Sequence, residues 1–203
     1  REMRLAAESC PPPVIETIFV GGGTPTILEP EQMRRLLEAL PRYFPEWSPE
    51  VEFTMEANPG TVDARKLAAM REGGVNRISF GAQSFDNGLL KRIGRIHEAD
   101  EIVDSVRKAR EAGFSNLSID LMFGLPGQTL RHVRESVERA LELELPHYSL
   151  YSLKVEENTL FHTLYQRGEL PLPEEDEEAE MYETIIAMLT AAGYEHYEIS
   201  NFA

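Results

Sequence analysis

The sequence predicts an α/β protein built as an incomplete parallel barrel, and three observations predict it. Short apolar, β-rich runs alternate with amphipathic helical segments along the chain, the pattern of βα units joined into a parallel sheet. Nearly every such run ends in polar or Gly-rich residues, marked by Gly22, Glu56, Gln83, Asp120 and Lys154. These markers stand 27 to 37 residues apart, close to the repeat of a barrel whose strands feed one site at their C-terminal ends. A doubly wound sheet also fits the alternation, but it gathers ligands mainly at one switch point, so the barrel is favoured.

Residues 1–8 read as the end of a helix, with Met3, Leu5 and Ala6 among charges, and Pro11, Pro12 and Pro13 stop it. A helix that opens without a cap, in a chain starting at Arg1, leads to the expectation that sequence is missing upstream. The first strand is expected at residues 14–20, before Gly21-Gly22-Gly23. Met33, Leu36, Leu37 and Leu40 then recur at helical spacing. A second strand, 51–55, ends at Glu56-Ala57-Asn58-Pro59-Gly60, and a helix over 62–71 closes at Gly73-Gly74. The third strand, 77–80, runs into Gly81-Ala82-Gln83-Ser84. A short helix at 89–93 leads to the loop Gly94-Arg95-Ile96-His97. A longer helix at 100–112 carries Ile102, Val103, Val106 and Ala109 on one face. The fourth strand, 117–123, holds Asp120 and ends in Gly124-Leu125-Pro126-Gly127. A helix at 130–143 and a fifth strand at 148–155 follow. A loop with Pro171 and Pro173 precedes a helix at 174–192, and a sixth strand is expected at 194–200. The run Glu174-Glu175-Asp176-Glu177-Glu178 opens that helix, where carboxylates favour the positive end of the dipole.

Net charge of −15 makes nucleic acid and anionic membranes poor partners. No apolar run approaches the ~20 residues of a membrane span. The single cysteine, Cys10, cannot form an internal disulfide, which points to a reducing, cytoplasmic setting. It reads as a small residue beside the Pro-rich turn, and it cannot by itself hold an iron–sulfur cluster. The five histidines are scattered without metal-binding spacing, so no metal ligand is assigned. No nucleophile–base pair stands out, so no catalytic residue is assigned either.

Gly21-Gly22-Gly23-Thr24-Pro25-Thr26 directly follows a strand, and its glycines let a ligand approach bare backbone N–H groups. It lacks the Gly-Lys-Ser/Thr of a phosphate loop, and Thr26 stands where the dinucleotide fingerprint needs its third Gly. Glu56, at a strand's C-terminal end, suits an ammonium or ribose hydroxyls. Asp120, inside a strand, must be paired, since a lone buried charge is costly. Gln83 follows a strand and a Gly, and Arg95 and His97 lie on a loop.

Together five segments carry a resemblance. Gly21-Gly22-Gly23-Thr24-Pro25-Thr26, Glu56-Ala57-Asn58-Pro59-Gly60, Ser79-Phe80-Gly81-Ala82-Gln83-Ser84-Phe85, Gly94-Arg95-Ile96-His97, and residues 120–129, from Asp120 to Thr129, occur in order. Each is weak alone; in register they resemble radical S-adenosylmethionine (SAM) proteins of the oxygen-independent coproporphyrinogen III oxidase-like group. That group has two branches, the oxidase and a haem chaperone. The segments at 56–60, 83–85 and 124–129, with the ending Tyr197-Glu198-Ile199-Ser200-Asn201-Phe202-Ala203, are more similar to the chaperone branch.

The resemblance implies a partial (β/α)6 TIM-like barrel with its first strand missing, residues 1–203 being the barrel core, cut at both ends. It implies SAM and a [4Fe–4S] cluster as cofactors of the full-length protein, with cluster ligands absent from this chain. It further implies haem or a porphyrinogen as partner, and a reductant protein. Of the family's SAM contacts, the Gly-rich segment falls on Gly22, Gly23 and Thr24, and the acidic one on Glu56. Contacts to a second SAM in the oxidase fall on Gln83, Arg95 and Asp120. On the oxidase branch the activity would be oxidative decarboxylation of coproporphyrinogen III to protoporphyrinogen IX.

Overall fold

A computed structural model describes residues 1–9 and 14–203; Cys10 and the three prolines after it lie outside the described residues. The elements in order are α1 (Glu2–Ser9), β1 (Ile15–Val20), a 3-10 turn (Pro25–Ile27), α2 (Pro30–Tyr43), β2 (Trp47–Ala57), α3 (Ala64–Glu72) and β3 (Arg77–Gln83). Then follow α4 (Asn87–Arg92), α5 (Ala99–Glu111), β4 (Asn116–Phe123), α6 (Leu130–Leu141), β5 (His147–Ser152), α7 (Leu160–Gln166), α8 (Glu175–Ala191) and β6 (Asn201–Phe202). The strands form one sheet in the order β1-β2-β3-β4-β5-β6. A doubly wound sheet reverses its strand order at a switch point; this sequential order is that of a barrel wall.

Local chemistry starts the helices where the sequence places them. Pro30 presets the first turn of α2, and the Glu29 N–H donates to Gln32 Oε1 at 3.0 Å. Asp63 accepts the Lys66 N–H at 2.8 Å to cap α3, and Asp86 accepts the Leu89 N–H at 2.7 Å to cap α4. At α8 the Glu174 N–H donates to Glu177 Oε2 at 3.0 Å, so the acidic run does begin a helix.

Packing divides the chain into two compact units, Arg1–Phe80 with Asp104–Leu117, and Gly81–Val103 with Ser118–Ala203. In the first, β2 pairs in parallel with β1 and with β3. Asn76 clips the start of β3 to β2: its Oδ1 accepts the Phe53 N–H at 2.9 Å and its Nδ2 donates to the Val51 carbonyl at 2.7 Å. Met33, Leu37, Phe53, Leu67, Met70 and Ile78 are buried at its core. Gly73 caps α3 with an ordinary φ of −80°, yet a Cβ there would fall 2.5 Å from Leu37 Cδ1 and 2.6 Å from Leu37 Cβ. Gly73→Ala is therefore expected to destabilise the protein by about 1–3 kcal/mol through overpacking alone. Urea unfolding checks this; an unchanged midpoint would contradict the close contact.

In the second unit β4 and β5 pair in parallel, with Asp120 opposite Ser149. Ile119, Leu121, Val137, Tyr148, Leu150, Ile185 and Leu189 are buried. Three sequence expectations are corrected here. The sixth strand is not residues 194–200 but Asn201–Phe202, and it pairs with β5 antiparallel. Side chains hold the preceding segment in a turn: Tyr182 Oη donates to the Ile199 carbonyl at 2.7 Å, and Glu198 Oε1 accepts the Ser200 N–H at 2.9 Å. Glu195 and Ala203 then exchange backbone hydrogen bonds of 2.8 and 3.1 Å, closing the fold-back. The fifth strand stops at Ser152, and the stretch read as loop contains α7, capped by Thr159, which accepts the His162 N–H at 3.1 Å. No helix among the described residues is long and apolar enough to cross a membrane.

Candidate functional site

In the first unit the candidate site is built where β1 and β2 end. A Cβ at Gly21 would lie 2.4 Å from the Phe19 ring and 2.7 Å from the Glu56 carboxyl carbon, so only glycine lets the Glu56 carboxylate lie across the turn. Gly22 then takes φ +89°, and its N–H donates to Glu56 Oε2 at 3.1 Å. Open space surrounds Gly22 and Gly23 where side chains would stand, so their backbone is approachable by a ligand. Thr24 Oγ1 accepts from Asn58 Nδ2 at 2.9 Å. Below it, buried Thr26 bonds Thr61 at 2.6 Å, and Lys66 Nζ donates to the carbonyls of Thr26 at 2.7 Å and Thr61 at 3.1 Å. Gly22, Gly23, Thr24 and Glu56 are thus gathered, and Asn58, Thr61 and Lys66 brace them. Asn58 lies in the Glu56-Ala57-Asn58-Pro59-Gly60 segment; Lys66 carries no sequence signal, because its partners are carbonyls as far as 40 residues away.

In the second unit Gln83 closes β3. It is buried, with φ +64°, and the Ser84 N–H donates to the Ala82 carbonyl at 2.8 Å across it. This is the rarer, strained form of γ-turn; such outliers cost on the order of 1–3 kcal/mol and cluster at ligand sites. Arg95 is half-buried, and burial pulls its guanidinium below its ordinary range while the Asp120 carboxylate partly restores it. Asp120 is half-buried on β4 and so coupled to a cation, as a carboxylate inside a strand requires. His97 lies on a loop as expected and is 4% exposed, its Nε2 3.2 Å from the Ala82 carbonyl.

The loop after β4 is braced from inside. Gln128 accepts the Leu125 N–H at 3.0 Å and donates to the Met122 carbonyl at 3.1 Å. Arg92 Nη1 donates to the Pro126 carbonyl at 2.6 Å, a reach that Gly127 permits, since a Cβ there would lie 1.9 Å from that nitrogen. Lys154 does not join a site: it is 82% exposed and pairs with Glu156 at 3.1 Å. Among the described residues no group of three or more His, Cys, Asp or Glu side chains could hold a metal ion.

Burial disfavours the His97 imidazolium and lowers its pKa; the hydrogen bond to Ala82 opposes this, and Arg95 adds to the lowering. The unfolded chain, with an ordinary histidine pKa of about 6.5, therefore takes up the proton first as pH falls. Above that pH the ring is neutral in both states and the term vanishes; below it, stability is lost. Relative to His97→Gln, the wild-type melting temperature is expected to fall progressively as pH drops from 8 towards 5. A parallel pH profile of the two proteins would contradict the assignment.

Comparisons with known proteins agree in direction. A profile of the radical SAM superfamily matches residues 2–140. The chain is 50% identical over 191 residues to the heme chaperone HemW of Bacillus subtilis, covering 94% of this chain and 50% of that protein. It is 42% identical to the heme chaperone HemW of Escherichia coli, covering 93% of this chain and 49% of that protein. Among solved structures, coproporphyrinogen III oxidase (HemN) from Escherichia coli superposes with a TM-score of 0.81 at 28% identity, covering 93% of this chain and 43% of that one. The fold is accordingly the partial TIM-like barrel of the radical SAM type. The chain spans about half the length of the curated relatives it matches.

Proposed function

The chain belongs to the radical SAM superfamily, and we propose that residues 1–203 are the barrel core of a haem chaperone that binds SAM and haem. The observation that carries the choice of branch is that identity to the heme chaperones exceeds identity to the oxidase by a wide margin. The proposal includes a reductant protein as electron donor and a cytoplasmic location, which the lone cysteine supports.

Gly22, Gly23, Thr24 and Glu56 are proposed to hold SAM in the first unit. The residues fit: a carboxylate accepts from the ligand's ammonium, and the open backbone at Gly22 and Gly23 admits its carboxylate end. Gln83, Arg95 and Asp120 are proposed to contact SAM in the second unit, where Asp120 favours a cationic ligand and Arg95 an anionic group. When bound, SAM supplies a carbon–sulfur bond that one electron can break. A [4Fe–4S] cluster is held by several thiolates; one cysteine does not fit it, so the cluster is proposed only for the full-length protein.

The test uses the protein made from its complete reading frame, reconstituted anaerobically with iron and sulfide, with SAM, a reductant and coproporphyrinogen III. The expected result is no decarboxylated product by mass spectrometry and saturable haem binding in a visible titration. Sustained turnover of coproporphyrinogen III would replace this reading with the oxidase.

A further inference from the structure

We propose that His97 is a positioning residue: one hydrogen bond from its ring holds the Gln83 turn and the Arg95 loop in one binding-competent arrangement. The inference rests on the SAM reading of Gln83, Arg95 and Asp120 given above. The Ala82 carbonyl is the hinge of the argument. It accepts the Ser84 N–H at 2.8 Å, which closes the turn around Gln83, and it lies 3.2 Å from His97 Nε2. A carbonyl oxygen has two lone pairs, so both donors are accommodated, and in the neutral ring the proton resides on Nε2.

Gln83 adopts a conformation that persists only where its surroundings over-determine it, and His97 reaches this turn from 15 residues downstream. The same ring anchors the loop at the other end of the bond. Arg95 lies two residues before it, and Ile96 between them is 89% exposed and packs against little. Backbone N–H groups also tie the loop on either side: Arg95 to the Leu90 carbonyl at 2.9 Å, and Ala99 to Asn87 Oδ1 at 2.8 Å. His97 thus joins the two segments that carry Gln83 and Arg95.

A histidine that merely filled space would be replaced well by phenylalanine and poorly by glutamine. A positioning histidine shows the reverse order, because glutamine keeps an N–H donor at similar reach and phenylalanine keeps only the ring volume. His97→Phe and His97→Gln would be compared with wild type in the complete, cluster-loaded protein. SAM affinity would be measured by equilibrium dialysis, and amide hydrogen exchange over residues 82–86 and 94–98 without SAM. The expected result for His97→Phe is about tenfold weaker SAM binding and about tenfold faster exchange in both segments, the scale of one lost buried hydrogen bond. His97→Gln is expected within about threefold of wild type on both. His97→Phe matching wild type, or His97→Gln faring worse than His97→Phe, would overturn the proposal. Absence of SAM binding by the wild type would sink the SAM reading instead, and the exchange data would still decide whether His97 holds the two segments.

Discussion

On the proposed SAM reading, replacing Glu56 by alanine is expected to lower SAM affinity by roughly 10- to 100-fold, the ~1.5–3 kcal/mol of a hydrogen bond to a charged group. Two losses combine. The ligand's ammonium loses its carboxylate partner, and the Gly22 N–H loses the oxygen that orients the turn at 3.1 Å. Glu56→Gln separates them, because an amide oxygen still accepts from Gly22 while the negative charge is gone. If charge dominates, both variants bind equally weakly; if the turn dominates, Glu56→Gln stays near wild type. Lys154→Ala is the control, since Lys154 is exposed and pairs with Glu156 at 3.1 Å. Isothermal titration with SAM reads all three. Wild-type affinity in Glu56→Ala would remove Glu56 from the site.

The second large effect is on stability. Tyr148 is fully buried; its Oη accepts the Leu145 N–H and donates to the Ala140 carbonyl, each at 3.1 Å, and its ring meets Tyr194 edge-on at 4.9 Å. Tyr148→Ala is expected to cost about 3–5 kcal/mol through the cavity it opens. Tyr148→Phe keeps the ring but strands the buried Leu145 N–H, for about 1–3 kcal/mol, while the Ala140 carbonyl keeps the Leu143 N–H at 3.0 Å. Denaturant unfolding of both variants gives the comparison. A Tyr148→Phe variant as stable as wild type would show that the Leu145 N–H finds another partner.

Much of the fold was legible in the sequence because its cues are local. Asp63 and Asp86 cap the helices that follow them, and Gly73 and Gly113 close the ones that precede them. Helical spacing in α2 and α5 puts Met33, Leu37, Ile102, Val106 and Ala109 in the core as periodicity predicts, whereas Val103, expected on the same face, is 39% exposed. Where two local cues competed, the reading slipped. Residues 194–200 have the aromatic and β-branched content of a strand, but Tyr182 and Glu198 claim their backbone groups and turn the chain. α7 escaped notice because it is short and none of its residues is buried, so no clear apolar stripe marks it.

By itself, then, the sequence determined the alternation of strands and helices, the strand-end positions of Gly22, Glu56 and Gln83, the place of Asp120 inside a strand, and the superfamily to which the ordered segments belong. Only the tertiary structure decided that the Glu56 carboxylate crosses the turn to Gly22, that Gln83 sits in a strained turn, and that His97 is buried against Ala82. It also decided that the final strand runs antiparallel. The reason is range. Caps, periodicity and turn residues act over three or four positions, whereas the Gly22–Glu56 and Ala82–His97 bonds join residues 34 and 15 apart. Such partners meet only after the chain between them has folded.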